Sequence, residues 1–227
     1  MYIVLLIAFA ALVIFGPAWW VKRVMARYSE PADRYPGTGA QLARHLLDQL
    51  GLEAVKVERT DSGDHYDPEA RTVRLTPGNH DSASLTAVTV AAHEVGHAIQ
   101  HADGYKPLLW RTQLVRMVQG IQKLGVVLFA LIPVAMLVFR LPRAGLTMLV
   151  LALAALASGL VVHLATLPTE LDASFRRALP LLEKGGYLKD DDRPHARRIL
   201  SAAALTYVAA SLMGLVNFWM WLRMLRP

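Results

Sequence analysis

The residues best suited to chemistry stand together in the segment His93-Glu94-Val95-Gly96-His97. On a helix, positions i and i+4 share one face about 6 Å apart along the axis, so two imidazoles there can close on one metal ion. The glutamate after the first histidine is turned aside by about 100°, where it can reach a water molecule. The segment therefore predicts a hydrolytic zinc site with His93 and His97 as ligands and Glu94 as general base.

A catalytic zinc site needs a third protein ligand and an open fourth position. His101 lies about 12 Å of helix rise beyond His93, too far to share an ion with it, so we expect a solvated side chain. Glu170, placed in the expected first turn of a later helix, is the preferred third ligand. Asp172 and Glu183 compete with it, although Asp172 is expected to support the fold or a basic neighbour. The alternative role of Glu170 is to stabilise the helix macrodipole.

Long apolar runs lie on both sides of the polar segments that contain this site. Such runs predict helices that cross about 30 Å of hydrocarbon. The segment 168–201 contains seven Lys and Arg, against two in the link 140–143. The positive-inside rule therefore predicts that both large polar segments face the cytoplasm, where Glu170 can meet the histidine pair. The runs are 2–21, 124–139 with an extension toward Arg111, 144–167 and 202–222.

The expected fold class is a mainly α membrane protein with four transmembrane helices and a small cytoplasmic α+β metallopeptidase domain. A capping box at Thr38 and Gln41 begins one helix, Val55–Thr60 and Arg71–Thr76 alternate as strands do, and the histidine helix begins near Ser82 or Ser84. The predicted divisions are 1–22 for an anchor helix, 23–112 for the domain with the histidine helix, 113–167 for two transmembrane helices, 168–201 for a cytoplasmic helical segment with the third ligand, and 202–227 for the fourth transmembrane helix.

The amino-acid composition limits the kinds of metal site and the classes of partner that the protein can have. The chain has no cysteine, which excludes disulfides and zinc–thiolate sites. Its hydrophobic fraction of 54% and the clustering of that fraction into runs indicate a lipid bilayer as a partner. The net charge is +6, but the basic residues lie beside the apolar runs, and no aromatic-interleaved basic surface is present. We therefore expect no nucleic-acid partner.

Four segments resemble the YugP-type family of membrane zinc metallopeptidases. They are Ala91–His101, Asp64-His65-Tyr66-Asp67-Pro68, Leu167-Pro168-Thr169-Glu170 and Ala202–Ala210. The chain is more distantly similar to gluzincin membrane proteases of the HtpX and prenyl-protease kind, which carry a glutamate ligand in an E-x-x-A-D motif. Glu170 and Ala173 match that motif, whereas Ser174 stands where those families have Asp. Because that Asp is missing here, Asp172 is a candidate to take its place in supporting a histidine ligand.

The resemblance also implies a gluzincin-like domain, a Zn²⁺ cofactor and peptide-bond hydrolysis. In gluzincins an edge strand beside the histidine helix pairs with extended substrate, and Arg71–Thr76 is the candidate, with a plain core strand as the alternative. An electrophile should stabilise the oxyanion of the reaction. The candidates are His65, His163, Tyr207 and Arg176.

The sequence thus predicts a membrane-embedded zinc metalloendopeptidase of the inner cell membrane, multipass, with its site facing the cytoplasm. Peptides or membrane proteins are the expected substrates. An intramembrane protease is disfavoured, because the apolar stretch Leu85–Ala92 before the motif is too short to cross lipid. The alternative from another class is a non-catalytic zinc-binding membrane scaffold, which would need a fourth protein ligand to close the site.

Overall fold

A computed structural model of the protein describes residues 2–206, and the side chains of 2–10, 13, 14, 142, 156, 160, 161, 163 and 164 lie outside that description. The described chain divides into two compact units. One contains the residues up to Phe15 together with Leu109–Thr166. The other contains Gly16–Leu108 together with Leu167–Thr206. Every residue predicted to hold the metal belongs to the second unit.

The first half of the chain alternates helices and short strands. Helix α2 begins at the predicted capping box, in which Thr38 Oγ1 accepts from the Gln41 N–H and Gln41 Oε1 accepts from the Thr38 N–H. This prediction is confirmed. The elements are α1 (Tyr2–Arg27), α2 (Gly39–Gln49), β1 (Lys56–Arg59), β2 (His65–Asp67), β3 (Thr72–Leu75), α3 (Pro77–His80) and α4 (Leu85–Ala102).

The three strands form one sheet in the order β1-β3-β2. Strand β3 runs parallel to β1 and antiparallel to β2, so both of its edges are occupied. The expectation that Arg71–Thr76 is an edge strand open to substrate is therefore wrong. It failed because β2 is only three residues long and too short to show an alternating pattern. The core-strand alternative fits, since Val73 and Leu75 are fully buried.

Helix α4 carries the histidine pair through the core of the second unit. The side chain of Ser84 caps it by accepting from the Ala87 N–H at 3.2 Å, as the sequence predicts. The stretch from Leu85 to Ala98 is buried throughout, because it packs on α2, on the sheet and on the segment after Glu170. The helix is therefore a rigid, water-excluded support for its polar side chains.

The second half of the chain is helical, with two stretches of wider π-helix. These stretches are Val134–Val138, directly after α5, and Asp172–Ala178, directly after α6. The α-helices are α5 (Lys106–Pro133), α6 (Pro142–Leu171), α7 (Leu179–Lys184) and α8 (residues 193–206), with one 3₁₀ turn at Asp190–Asp192 before α8.

The prediction of four transmembrane helices is wrong. Among the residues whose side chains the structure describes, one continuous helix, Lys106–Val138, is long and apolar enough to cross a membrane, and only 11% of its most apolar window is buried. In α6 the apolar stretch found among the described residues is Arg143–Gly159. The prediction counted spans from hydropathy alone, which does not show that each apolar run forms one helix across a bilayer. Most of the predicted run 202–222 lies outside the described residues.

A buried ion pair joins the two sequence-distant parts of the second unit. Asp192, 1% exposed, accepts from Arg34 Nε at 2.7 Å, from Arg34 Nη2 at 2.6 Å and from the Tyr35 hydroxyl at 2.6 Å. Burial alone would raise the pKa of Asp192, but these donors lower it below its usual range. The contact fixes the segment before α2 to the turn before α8.

Candidate metal centre

Three buried side chains meet in the second unit. His93 and His97 stand one turn apart on α4, and Glu170 reaches them from the last turn of α6. The Nε2 atoms of both histidines lie 3.3 Å from Glu170 Oε2. The two rings are 4.8 Å apart and nearly perpendicular, at 79°. All three candidate ligand atoms lie within 4.8 Å of one another.

This donor set fits a zinc ion. Two imidazole nitrogens and one carboxylate oxygen are a combination that catalytic zinc uses, with bonds of about 2.0–2.2 Å. Donors at that radius in a tetrahedral arrangement lie ~3.3 Å apart, which matches the two N···O distances of 3.3 Å. Among the described residues, no fourth His, Cys, Asp or Glu joins the group. The prediction of a zinc cofactor is confirmed, and His93, His97 and Glu170 are the residues that would hold the ion.

Glu170 arrives at the site differently from the sequence expectation. It lies in the last turn of the long helix α6, not in the first turn of a new helix. The expected start at Pro168 and Thr169 does not occur, because α6 continues through Pro168 and turns into π-helix only at Asp172. The macrodipole alternative therefore loses its basis, since a carboxylate near a helix C-terminus is not stabilised by it.

The far nitrogen of each imidazole is held by a neighbouring side chain. His93 Nδ1 lies 3.0 Å from Ser174 Oγ, whose hydroxyl hydrogen goes to the Leu200 carbonyl at 3.3 Å. His97 Nδ1 lies 2.9 Å from Gln100 Oε1. Both partners therefore accept from an Nδ1–H group, which leaves the Nε2 lone pairs facing Glu170. Such contacts fix the ring orientation and tautomer that metal binding requires.

Electrostatics favours a charged Glu170. Burial by itself would raise the pKa of this carboxyl, but the charge and hydrogen bonds of the adjacent His97 and His93 imidazoles, in their protonated form, more than offset that effect and lower it well below its usual range. Asp172 behaves in the same way, because the hydrogen bonds from Gln100 and Arg177 outweigh its burial and lower its pKa. Each carboxyl is thus an anion at neutral pH.

Glu94 follows His93 on α4 and is also buried, at 5% exposure. It does not belong to the group of candidate ligand atoms among the described residues. This placement agrees with a carboxylate that stands beside the metal without binding it. Its role as general base stays a prediction at this point.

The remaining sequence candidates that the structure describes do not belong to the group of three ligand residues. His101 is not simply solvated, since its Nδ1 lies 2.8 Å from the Tyr66 hydroxyl. The Nδ1 atom of His65 contacts the Gly63 carbonyl at 2.8 Å. Glu183 faces Arg197 at 3.8 Å. Arg176 is exposed. The side chain of His163 and all of Tyr207 lie outside the described residues. The oxyanion-stabilising residue therefore stays unassigned.

Gly96 determines how closely α4 approaches the segment after Glu170. A Cβ atom built on Gly96 would lie 2.7 Å from the Ala173 carbonyl oxygen and 3.3 Å from its carbon. Backbone atoms cannot rotate away as a flexible side chain can. The glycine is thus required for a backbone approach that brings Ser174 to His93.

Replacement of Gly96 by Ala is expected to lower stability by about 1–3 kcal/mol, the usual cost of overpacking, and to weaken zinc binding because the Ala173–Ser174 segment must move. Gly120→Ala is the matched control, because a Cβ there has no neighbour within 4 Å. Thermal unfolding and zinc titration of both variants provide the measurement. Equal zinc affinity in Gly96→Ala and the control would contradict this account of the site.

Comparisons with known proteins agree with the geometry. The sequence model of the family described as "Putative neutral zinc metallopeptidase" matches residues 2–226. The chain is 36% identical over 217 residues to the Bacillus subtilis (strain 168) protein named "Putative membrane protease YugP", covering 93% of this chain and 92% of that protein. No solved structure gives a significant match.

Proposed function

Since the chain belongs to the neutral zinc metallopeptidase family, we propose that it is a zinc-dependent endopeptidase that hydrolyses peptide bonds at a membrane surface. The observation that carries the proposal is the convergence of His93 Nε2 and His97 Nε2 on Glu170 Oε2, with Glu94 adjacent on the same helix. This arrangement leaves one coordination position for a reactant, which hydrolysis requires.

The proposed roles follow from the chemistry of the side chains. His93, His97 and Glu170 hold the ion, and zinc bound there supplies a Lewis acid that polarises the scissile carbonyl and lowers the pKa of water. Glu94 takes a proton from the attacking water as the new C–O bond forms. The same carboxyl then delivers that proton to the leaving amine as the C–N bond breaks. The low exposure of all four side chains keeps bulk water from the site.

The scaffold alternative receives less support from the structure. A purely structural zinc site is normally closed by four protein ligands. The group contains three among the described residues, and both His65 and His101 are engaged in contacts away from it. A motif inside a membrane span is also disfavoured, because the span candidate found in residues 2–206 is Lys106–Val138 and not α4.

We propose the cytoplasmic face of the cell membrane as the location of the site. The relative with 36% identity is named a membrane protease, and this chain has one apolar helix suited to a bilayer. The excess of Lys and Arg in 168–201 favours the cytoplasmic side. A site at that surface suits membrane proteins or peptides that reach the bilayer as substrates.

Metal removal tests the hydrolytic function. The purified full chain is expected to cleave an unfolded protein such as casein, to lose that activity to a chelator, and to recover it when zinc is returned. A preparation of the Glu94→Gln variant made in parallel should show no cleavage, and this control excludes a contaminating protease. Cleavage that persists after complete zinc removal would refute the proposed mechanism.

Single cysteines test the location, since the chain contains none of its own. Ser62→Cys and Asp190→Cys place exposed thiols in the two sequence-distant parts of the second unit. Both are expected to resist a membrane-impermeant maleimide in intact cells and to react once the membrane is opened. The cysteine-free chain is the blank. Labelling of either thiol in intact cells would place the site on the opposite side.

A further inference from the structure

The side-chain amide of Gln100 is locked in one orientation. Its Nε2 donates to the Thr169 carbonyl at 2.9 Å and to Asp172 Oδ2 at 2.8 Å, and its Oε1 faces His97 Nδ1 at 2.9 Å. A flipped amide would put its oxygen against two acceptors, one of them a carboxylate. The amide oxygen must therefore point at His97, which in turn must carry its hydrogen on Nδ1.

A chain of charge-assisted contacts, Asp172–Arg177–Asp103, fixes the Gln100 amide on the side away from His97. Asp172 Oδ2 also accepts from Arg177 Nε at 2.9 Å, and Arg177 Nη1 donates to Asp103 Oδ2 at 2.5 Å. The side chains become more exposed along the chain, from fully buried Gln100 through Asp172 at 8% and Arg177 at 16% to Asp103 at 58%. Burial makes the inner contacts stronger than the outer one, because water screens charges at the surface.

The two metal histidines are therefore supported by unlike groups. His93 contacts the neutral hydroxyl of Ser174, which donates a hydrogen bond to the Leu200 carbonyl. His97 contacts an amide whose direction is imposed by the Thr169 carbonyl and by an ionised carboxylate. Because an amide can rotate about its last bond and a hydroxyl serves as acceptor in several rotamers, only the His97 support depends on a further side chain to hold it.

We propose that Gln100, oriented by Asp172 and Arg177, is the positioning residue that sets the tautomer and the ring direction of the metal ligand His97. The proposal rests on the metal-dependent function argued above. Gln100 does not touch the metal or the substrate, and it acts through His97 alone. The contribution of each member to metal binding should decline outward along the chain, from Gln100 to Asp172 to Asp103.

Zinc affinity and a metal spectrum provide the test. The purified, zinc-free full chain is titrated with zinc against a chromogenic chelator, and the cobalt-loaded protein gives a visible spectrum that reports the ligand geometry. Gln100→Leu is expected to raise the zinc Kd about 10–100-fold, the usual effect of losing a group that orients a metal ligand, and to change the saturated cobalt spectrum. Asp172→Asn should raise the Kd by a smaller factor, and Asp103→Asn by about twofold or less.

Matched variants separate positioning from general stability. Gln49→Leu removes an exposed glutamine that bonds only Tyr187, and it should leave both readouts unchanged. The double variant Gln100→Glu with Asp172→Asn exchanges the carboxylate and the amide, and so returns an acceptor to His97. It should bind zinc more tightly than Gln100→Leu, which a merely structural role does not predict.

Wild-type zinc affinity and spectrum in Gln100→Leu would overturn the proposal. If that variant does not fold, an unchanged Kd in the isosteric Asp172→Asn variant overturns it instead. Failure of the peptidase function is a separate result: a wild-type chain that binds zinc and cleaves nothing leaves the Gln100 inference standing. Unchanged affinity in variants of an active peptidase removes only the inference.

Discussion

The Glu94→Gln variant is expected to retain one zinc per chain and to lose at least 10²–10⁴-fold of its hydrolytic rate. Glutamine has the size of glutamate but cannot accept a proton at neutral pH. The loss can exceed that range, because the same carboxyl is proposed to serve the attacking water and then the leaving amine. Metal analysis and a cleavage assay on the same preparation provide the measurement.

Glu53→Gln is the control for this substitution, since Glu53 is exposed and lies before β1. It should keep both zinc and activity. Loss of zinc from Glu94→Gln would show that this residue is a ligand. Wild-type hydrolysis by a zinc-loaded Glu94→Gln protein would remove it from the reaction.

Removal of any one ligand is expected to reduce zinc binding drastically. His93→Ala, His97→Ala and Glu170→Ala each leave two protein donors, too few for a tight site. Because a ligand stabilises only the state that binds it, zinc at 100 times its Kd should stabilise the wild-type chain by about 2.7 kcal/mol. The zinc-dependent rise in Tm should disappear in all three variants, whereas activity should fall together with occupancy.

His45→Ala is the matched control, because His45 is exposed and contacts Tyr187 rather than the site. It should keep its zinc-dependent rise in Tm. Full zinc occupancy in His93→Ala or His97→Ala would contradict the ligand assignment. Partial recovery of Glu170→Ala activity at high zinc would fit a lost ligand, while Glu94→Gln should not respond to added metal.

Local patterns predicted the α4 part of the site well. The i, i+4 spacing of His93 and His97 depends only on helix geometry, and the helix itself is set by the Ser84 cap and an apolar run. The capping box of α2 follows from short-range hydrogen bonds in the same way. Features of this kind are decided within a few residues, so the sequence alone can reveal them.

Features that depend on distant contacts were harder to predict. The short strand β2 exists because it pairs with β3, and its pairing removes the free edge expected at Arg71–Thr76. The π-helix at Asp172–Ala178 leaves no signal of its own in the sequence, yet it presents Ser174 to His93. The number of membrane helices was overestimated, because hydropathy alone does not show that an apolar run crosses a bilayer.

One supporting residue could have been found by spacing. Gln100 is three residues beyond His97 on the same helix, so its side chain is a neighbour of the imidazole. It was not among the predicted ligands, because an amide is not a zinc ligand of the usual kind. Asp172 was predicted to support the fold or a basic neighbour, and it contacts both Gln100 and Arg177.

X-ray absorption at the zinc edge of the purified full chain tests the His93–His97–Glu170 site, since it reports the atoms bound to the metal. We expect nitrogen and oxygen neighbours at about 2.0–2.2 Å, with the outer-shell signal of two imidazoles. At zinc concentrations high enough to load it, the Glu170→Ala variant should show an altered oxygen contribution and an imidazole signal that stays at two. A signal from three or more imidazoles would show that a further histidine, such as His65 or His101, binds the metal. The absence of any imidazole signal would show that α4 does not bind the metal.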